Sequence, residues 1–146
     1  MKPNIVFVLT DDQGYPPIGA HGHPFIETQH MDALHGESVR FEQFHSGTTC
    51  APTRAGLMTG HYCNSTGVWD TVGGRSLLRR DEWSLADALR DNGYRTGLFG
   101  KWHVGWDWAV KDACTADRKD WDGNKQEWID FTKPIQNGPT TIGFDY

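Results

Sequence analysis

The chain has 146 residues, a formal net charge of −5, 37% apolar residues and 23% charged residues, which is enough for one globular domain with a hydrophobic core. The acidic balance, without any run of Lys and Arg, argues against nucleic acid as a partner. No apolar run approaches the ~20 residues that a membrane span needs, so no membrane association is predicted. Three cysteines without metal-binding spacing argue against a disulfide framework, with a single Cys63–Cys114 bridge left open.

The first predicted element is a buried strand over residues 4–9, a continuous β-prone apolar run. It follows Met1-Lys2-Pro3 without a cleavage-site pattern, so the sequence predicts no signal peptide and a cytoplasmic location, a trimmed secretory signal being the alternative. The strand ends at Asp11 and Asp12. Ligands of open α/β sheets bind at the carboxyl ends of the strands, which makes this pair a candidate site.

A short helix is predicted over 29–35, with Met31 and Leu34 on one face and Gly36 as its stop. An alternating strand follows at 39–44. A second helix opens near Cys50, and residues 64–80 are loop-like.

A third helix is predicted over 84–92. Ser84 and Asp87 match a capping box, and Leu85 and Leu89 share a face. A second core strand, 94–99, ends in Gly100-Lys101-Trp102-His103-Val104-Gly105.

Alternating strands and helices indicate an α/β fold, with a mostly parallel sheet flanked by helices. Residues 106–141 are rich in Trp, Asp, Lys and Asn and weakly periodic, so they are predicted to be a loop-like insertion within the single domain 1–146. The aromatic side chains of this region and its border either line a substrate pocket or form the core of the insertion. They are Trp102, Trp106, Trp108, Trp121 and Trp128.

The segment Cys50-Ala51-Pro52-Thr53-Arg54 combines a cysteine with a helix start. Pro52 suits the first turn of a helix because it lacks an N–H and has a preset φ. A helix that starts there directs N–H groups and a partial positive charge at Cys50, which would stabilise an anion. Arg54 adds a fixed charge suited to sulfate or phosphate. The alternative is a buried, inert cysteine on a core helix.

Four segments together resemble the sulfatase family. They are the strand with Asp11-Asp12-Gln13-Gly14, the run from Cys50 to Gly60, the Gly-Lys-Trp-His-Val-Gly segment at 100–105, and Gly143-Phe144-Asp145. The resemblance covers nearly the whole chain and implies an alkaline-phosphatase-like fold. It also implies hydrolysis of sulfate monoesters, with a small-molecule or carbohydrate sulfate ester as substrate.

The resemblance assigns roles to six residues. Asp11, Asp12 and Cys50 would bind a divalent cation, Ca²⁺ or less often Mg²⁺, a hard ion that prefers oxygen ligands. Cys50 would be oxidised to formylglycine by a formylglycine-generating enzyme, and its hydrate would attack sulfur. Arg54 would hold that hydrate, and Lys101 and His103 would contact the sulfate. His103 would also manage protons. Lys101 and His103 are two residues apart, so on an extended segment they would point the same way.

This sequence departs from the family pattern in two places and in length. Thr53 replaces the usual serine, and Tyr15-Pro16-Pro17 replaces a glycine-aspartate stretch. Sulfatases run to several hundred residues, and their second pair of metal ligands lies beyond Tyr146. We therefore expect an N-terminal portion of a sulfatase catalytic domain, weakly active or inactive by itself and prone to associate.

Two other functions remain open from the sequence: a phosphonate or phosphate ester hydrolase of the same superfamily, and a non-catalytic remnant that binds an anion or a partner. The His21-Gly22-His23 cluster fits no common zinc site, so zinc is the least favoured alternative.

Overall fold

The computed structural model describes residues 2–71, 78–111 and 126–146. The chain divides into two compact units, Met1–His45 and Ser46–Tyr146. The described α-helices are α1 (Gln29–Gly36), α2 (Cys50–Thr59), α3 (Cys63–Thr66) and α4 (Leu85–Asp91). Short 3₁₀ turns lie at Gly19–His21, Gln126–Trp128 and Pro139–Thr141. None of the helices in these described ranges is long and apolar enough to cross a membrane.

The first unit is organised around Asp32 of α1. Its Oδ1 atom accepts hydrogen bonds from the Ala20 N–H at 2.7 Å and from the Thr28 hydroxyl at 2.8 Å. These contacts attach the first 3₁₀ turn to the start of α1. The helix runs one residue further than predicted, through Gly36. Met31 and Leu34, predicted to share a face, are 41% and 67% exposed within this structure.

The second unit has a small apolar core. Ala51 and Ala55 of α2 are fully buried, because small residues four apart let the helix approach its neighbours closely. They pack with five other buried side chains, Val68, Leu78, Trp102, Val104 and Ile142. This core therefore joins α2 directly to the segment that carries Lys101 and His103.

Helix α4 confirms the predicted capping box. The Ser84 hydroxyl accepts from the Asp87 N–H at 3.0 Å, and Asp87 Oδ2 accepts from the Ser84 N–H at 3.0 Å. The Ser84 hydroxyl also contacts the Ile142 carbonyl oxygen at 2.7 Å. The buried side chain of the helix is Ala86, whereas Leu85 is 45% exposed. Leu89, predicted to share a face with Leu85, is half-buried.

The predicted mostly parallel sheet is not found in the described part of the chain. None of the segments 4–9, 39–44 and 94–99 is a strand there, and the β-pairing consists of isolated antiparallel bridges at Asp107–Gln136 and Val110–Ile129. A β-strand requires hydrogen bonds from a neighbouring strand, which an apolar sequence alone cannot supply. Segment 4–9 instead exposes its apolar side chains, with Val6 86% and Val8 80% accessible.

Segment 94–99 does carry a trace of the expected pairing. Thr96 O accepts from the Tyr146 N–H at 3.2 Å, and Tyr146 O accepts from the Leu98 N–H at 2.8 Å. Both hydrogen bonds of Tyr146 therefore go to the residues that flank Gly97, as in a parallel pair. Thr96 is also bound by the Gly143-Phe144-Asp145 motif, since its N–H donates to Asp145 Oδ2 at 2.9 Å.

Candidate active site

Helix α2 begins at Cys50, where the sequence predicted a helix start. Thr49 precedes it in an extended conformation, and its carbonyl oxygen accepts from the Thr53 N–H at 3.1 Å and the Thr53 hydroxyl at 2.8 Å. Pro52 still lies in the first turn, where its missing N–H costs no helical hydrogen bond. Gly47 is required nearby because a Cβ there would lie 2.9 Å from Thr53 N.

Cys50 is a half-buried free thiol at the first position of this helix. The first residues of a helix have N–H groups without intrahelical partners and carry a partial positive charge. A polar or anionic group formed on the Cys50 side chain would thus be held on a rigid element beside that charge. Cys63 is also a free thiol; Cys114, the other member of the bridge left open by the sequence, lies outside the described residues.

Arg54 connects α2 to the segment that carries the other candidate residues. Its Nη1 atom donates a 2.5 Å hydrogen bond to the backbone carbonyl oxygen of Lys101, 47 residues away in sequence. The guanidinium thus binds the start of the segment 100–105. This contact holds the helix that begins at Cys50 against the backbone of Lys101. The sequence predicted both residues at the site but did not predict this contact.

The segment 100–105 is a tight loop rather than an extended strand end. Gly100, His103 and Gly105 all have positive φ angles, of 109°, 55° and 94°. The Trp102 indole N–H donates to the Gly105 carbonyl oxygen at 2.7 Å and closes the loop. The predicted common direction of Lys101 and His103 assumed an extended backbone. That assumption is wrong at His103, because the backbone there has a left-handed conformation.

His103 is the most distinctive residue of this loop. A non-glycine residue with positive φ is uncommon and costs about 1–2 kcal/mol. Its Nδ1 atom is buried and has no hydrogen-bond partner within the residues that the structure describes. Most buried polar atoms are paired, so an unpaired imidazole nitrogen in a strained loop is a candidate for contact with a ligand.

Asp11 and Asp12 lie in the first unit, in an exposed bend. Asp12 has a φ of 51°, so this pair also sits on an irregular backbone. Two carboxylates match the oxygen preference of Ca²⁺ or Mg²⁺. Among the described residues no group of three or more His, Cys, Asp or Glu side chains could hold a metal. His21 and His23 belong to no such group within the described residues either.

Sequence reasoning missed the buried carboxylate of Glu82. Its side chain is 3% exposed, and Oε1 accepts from Arg79 Nε at 2.9 Å while Oε2 lies 3.5 Å from His61 Nδ1. His61 follows the end of α2. Next to Arg79, the Leu78 N–H donates to the Val104 carbonyl oxygen at 2.7 Å. Glu82 therefore contacts the residue that follows α2 and, through Arg79, the segment that is hydrogen-bonded to the 100–105 loop. The only sequence feature that draws attention to it is its position just before the Ser84 cap.

Comparison with known proteins agrees with these motifs. The family model described as Sulfatase matches residues 3–141. Human arylsulfatase G is 40% identical over 110 residues, and bovine (Bos taurus) arylsulfatase A is 39% identical over 107 residues. These matches cover 71% and 70% of this chain, but only 20% and 21% of the relatives. The chain belongs to the sulfatase family, and it spans about a fifth of the length of these curated relatives.

A solved structure agrees as well. It comes from work on the metabolism of multiple glycosaminoglycans by Bacteroides thetaiotaomicron. The match has a TM-score of 0.78 and 29% identity, and it covers 99% of this chain and 27% of that one. The fold of the chain is thus that of part of a sulfatase.

Proposed function

We propose that this chain carries the nucleophile and part of the sulfate-binding site of a sulfuric ester hydrolase, and that the full-length protein hydrolyses sulfate monoesters. The observation that carries the proposal is the hydrogen bond from Arg54 to the Lys101 carbonyl oxygen. It joins the helix that starts at Cys50 to the loop that holds Lys101 and His103. The arylsulfatase names of the relatives support the reaction class.

The nucleophile is proposed to be formylglycine made from Cys50. The half-buried free thiol at a helix start suits the modification, because it is accessible yet fixed in position. Once formed, that group would supply the hydrate oxygen that attacks sulfur. The chain's own residues then hold the anion: the α2 terminus and Arg54 place positive charge at the site, and Lys101 adds a cation.

His103 is proposed to bind the sulfate and to move a proton. Its buried Nδ1 has no partner among the described residues, so a sulfate oxygen or a hydroxyl could take that place. The strained backbone fixes the imidazole before the substrate arrives, which reduces the entropy lost on binding.

Asp11 and Asp12 are proposed to supply two ligands to Ca²⁺ or Mg²⁺, with the modified Cys50 as a third. The bound cation would polarise the sulfate oxygens. Calcium takes about 6–8 oxygen ligands, so these residues do not complete the shell. We therefore expect the isolated 146-residue chain to be weakly active or inactive.

The sheet expected of the fold is part of the proposal. Segments 4–9 and 94–99 are proposed to be strands of a mostly parallel sheet in the full-length protein. Support comes from the pairing of Tyr146 around Gly97 and from the exposed apolar side chains of 4–9. Strong protection of the 94–99 amides from hydrogen exchange in the full-length protein would agree with a paired strand.

The reaction is tested with the full-length protein expressed together with a formylglycine-generating enzyme. Mass spectrometry of the tryptic peptide 41–54, after trapping with a hydrazine, should reveal an aldehyde at Cys50. The matured protein should release sulfate from 4-nitrophenyl sulfate, and Cys50→Ala should not. Faster turnover of an aryl phosphodiester than of the sulfate would instead favour a phosphoesterase, and an unmodified thiol without turnover would favour a binding protein.

A further inference from the structure

Four aromatic rings contact one another in succession, beginning with Trp102 in the 100–105 loop. They form the aromatic row, which consists of Trp102, Trp106, Trp108 and Phe131. Successive ring centroids are 6.4, 6.2 and 6.0 Å apart. Trp102 lies between Lys101 and His103 and is 5% exposed, whereas Trp106 is 36% and Phe131 68% exposed. A row that served only as the core of an insertion would be buried at both ends, but this one opens to the surface.

Two antiparallel segments hold the outer rings in place. Asp107 and Gln136 exchange backbone hydrogen bonds of 2.8 and 3.0 Å, and the Asp130 N–H donates to the Ala109 carbonyl oxygen at 2.8 Å. Gly138 packs so closely on the Trp106 ring that a Cβ there would lie 2.8 Å from it. Exposed aromatic side chains on a fixed backbone are characteristic of binding surfaces, because little entropy is lost when they bind.

Phe131 is presented by a side-chain turn. Asp130 Oδ1 accepts from the Thr132 N–H at 3.0 Å and from the Thr132 hydroxyl at 2.5 Å. These two hydrogen bonds hold the residues on either side of Phe131 and leave its ring projecting beyond Trp108. The outermost ring therefore has a defined position rather than being a loose surface side chain.

The carboxylates beside the row have cationic partners. Asp107 forms an ion pair with Arg80 and accepts from Asn137 Nδ2 at 2.5 Å, and Asp130 lies 3.5 Å from Lys133 Nζ. This pairing lowers the repulsion that an anionic ligand would meet along the row. The surface thus offers apolar faces beside carboxylates that are already neutralised, so an anionic ligand is tolerated there.

We infer that the aromatic row binds the saccharide chain of a sulfated carbohydrate while its terminal sulfate occupies the Lys101–His103 loop. This inference rests on the proposed function. Neighbouring rings are inclined at 61°, 44° and 70°, so they form no parallel slot for one flat aryl group. They instead offer separate faces, and those of Trp106 and Phe131 are exposed enough to receive the C–H groups of a sugar ring. The row would therefore give a preference for oligosaccharides over single sugars.

The test compares two substrates in the matured full-length protein: glucosamine 6-sulfate and a tetrasaccharide that ends in the same sulfated sugar. We expect wild type to prefer the tetrasaccharide, measured as the ratio of the two kcat/KM values. Phe131→Ala should lower this ratio roughly threefold to tenfold, the value of one or two aromatic contacts. Tyr62→Ala is the matched control, since Tyr62 is an 89% exposed aromatic residue of the same unit outside the row, and it should keep the wild-type ratio.

A wild-type ratio near one, no turnover of either sugar, or equal losses in the two variants would overturn the inference. Turnover of 4-nitrophenyl sulfate separates this failure from failure of the proposed function. If wild type cleaves the aryl sulfate and the ratio is unaffected by Phe131→Ala, the reaction class stands and the saccharide site does not. Circular dichroism of both variants establishes that they are folded.

Discussion

The guanidinium of Arg54 donates a 2.5 Å hydrogen bond to the backbone carbonyl oxygen of Lys101, across 47 residues of sequence. This contact couples the start of α2 to the loop with the strained His103. A change at Arg54 would thus alter two candidate site segments together.

Arg54→Lys should impair the protein even though the charge is kept. Lysine lacks the planar fork of guanidinium N–H donors, so the Lys101 carbonyl oxygen loses its partner or receives a poorly placed one. We expect a fall of about 10²-fold in kcat for sulfate release, typical of a misplaced catalytic group. The free energy of unfolding should fall by about 1–2 kcal/mol, measured by urea denaturation.

Arg90→Lys is the control for Arg54→Lys. Arg90 is paired with Asp87 on the surface of α4, and its side chain is 45% exposed. Its replacement should change the unfolding free energy by less than about 0.5 kcal/mol and leave sulfate release intact. Equal behaviour of the two variants would show that the Arg54–Lys101 contact has no special role.

Gly143→Ala should be strongly destabilising because two effects combine at this position. The φ of Gly143 is 93°, and an added Cβ would lie 2.6 Å from the Ala86 carbonyl carbon and 2.8 Å from the Asp87 Cα. Backbone strain and the clash with the first turn of α4 together should cost about 3 kcal/mol or more in unfolding free energy. Thermal and urea denaturation both measure this loss.

Gly67→Ala separates strain from clash. Its φ is 77°, yet nothing lies within 4 Å of an added Cβ. Only the backbone strain should therefore lower the unfolding free energy, by about 1–2 kcal/mol. If Gly143→Ala were no worse than Gly67→Ala, the close approach of the Gly143-Phe144-Asp145 motif to α4 would be refuted.

Local sequence rules predicted the helices better than the sheet. Ser84 and Asp87 satisfy each other within one turn, so the capping box of α4 was readable from four residues. Segments 4–9 and 94–99 have strand-like composition, but strand formation depends on partners elsewhere in the chain, which composition cannot identify. The Tyr146 hydrogen bonds around Gly97 are such a nonlocal feature.

The candidate site was predictable in residue type but not in contacts. The resemblance assigned roles to Cys50, Arg54 and His103, and those roles stay predictions. The left-handed φ of His103 and the Arg54–Lys101 hydrogen bond depend on tertiary packing, so no pattern in the sequence indicates them. Glu82 was missed for the same reason, because its contact with His61 depends on tertiary packing rather than on a local pattern.

Glu82→Ala should destabilise the second unit by removing a buried carboxylate that binds Arg79 and approaches His61. Loss of one member of a buried ion pair costs about 3–5 kcal/mol when the other charge stays buried. The Arg79 side chain is 56% exposed and can be rehydrated, so we expect about 2–3 kcal/mol in urea denaturation. Asp81→Ala is the control, since Asp81 is 86% exposed and lies 3.9 Å from Arg79. A similar loss in both variants would contradict the supporting role of Glu82.

Acid should weaken the first unit through Asp32. The Ala20 N–H and then the Thr28 hydroxyl donate to this carboxylate and hold its pKa below the ordinary value of 3.8. A lowered folded-state pKa means that the stabilisation is complete above about pH 3.8 and is lost as the pH falls through the folded pKa. The unfolding free energy of wild type should therefore fall more steeply below pH 4 than that of Asp32→Asn, when both are measured by urea denaturation from pH 2 to 6. Thr28→Val removes one donor and should give an intermediate slope. Identical slopes in wild type and Asp32→Asn would rule out Asp32 as the acid-sensitive group, whatever the absolute stability of each variant.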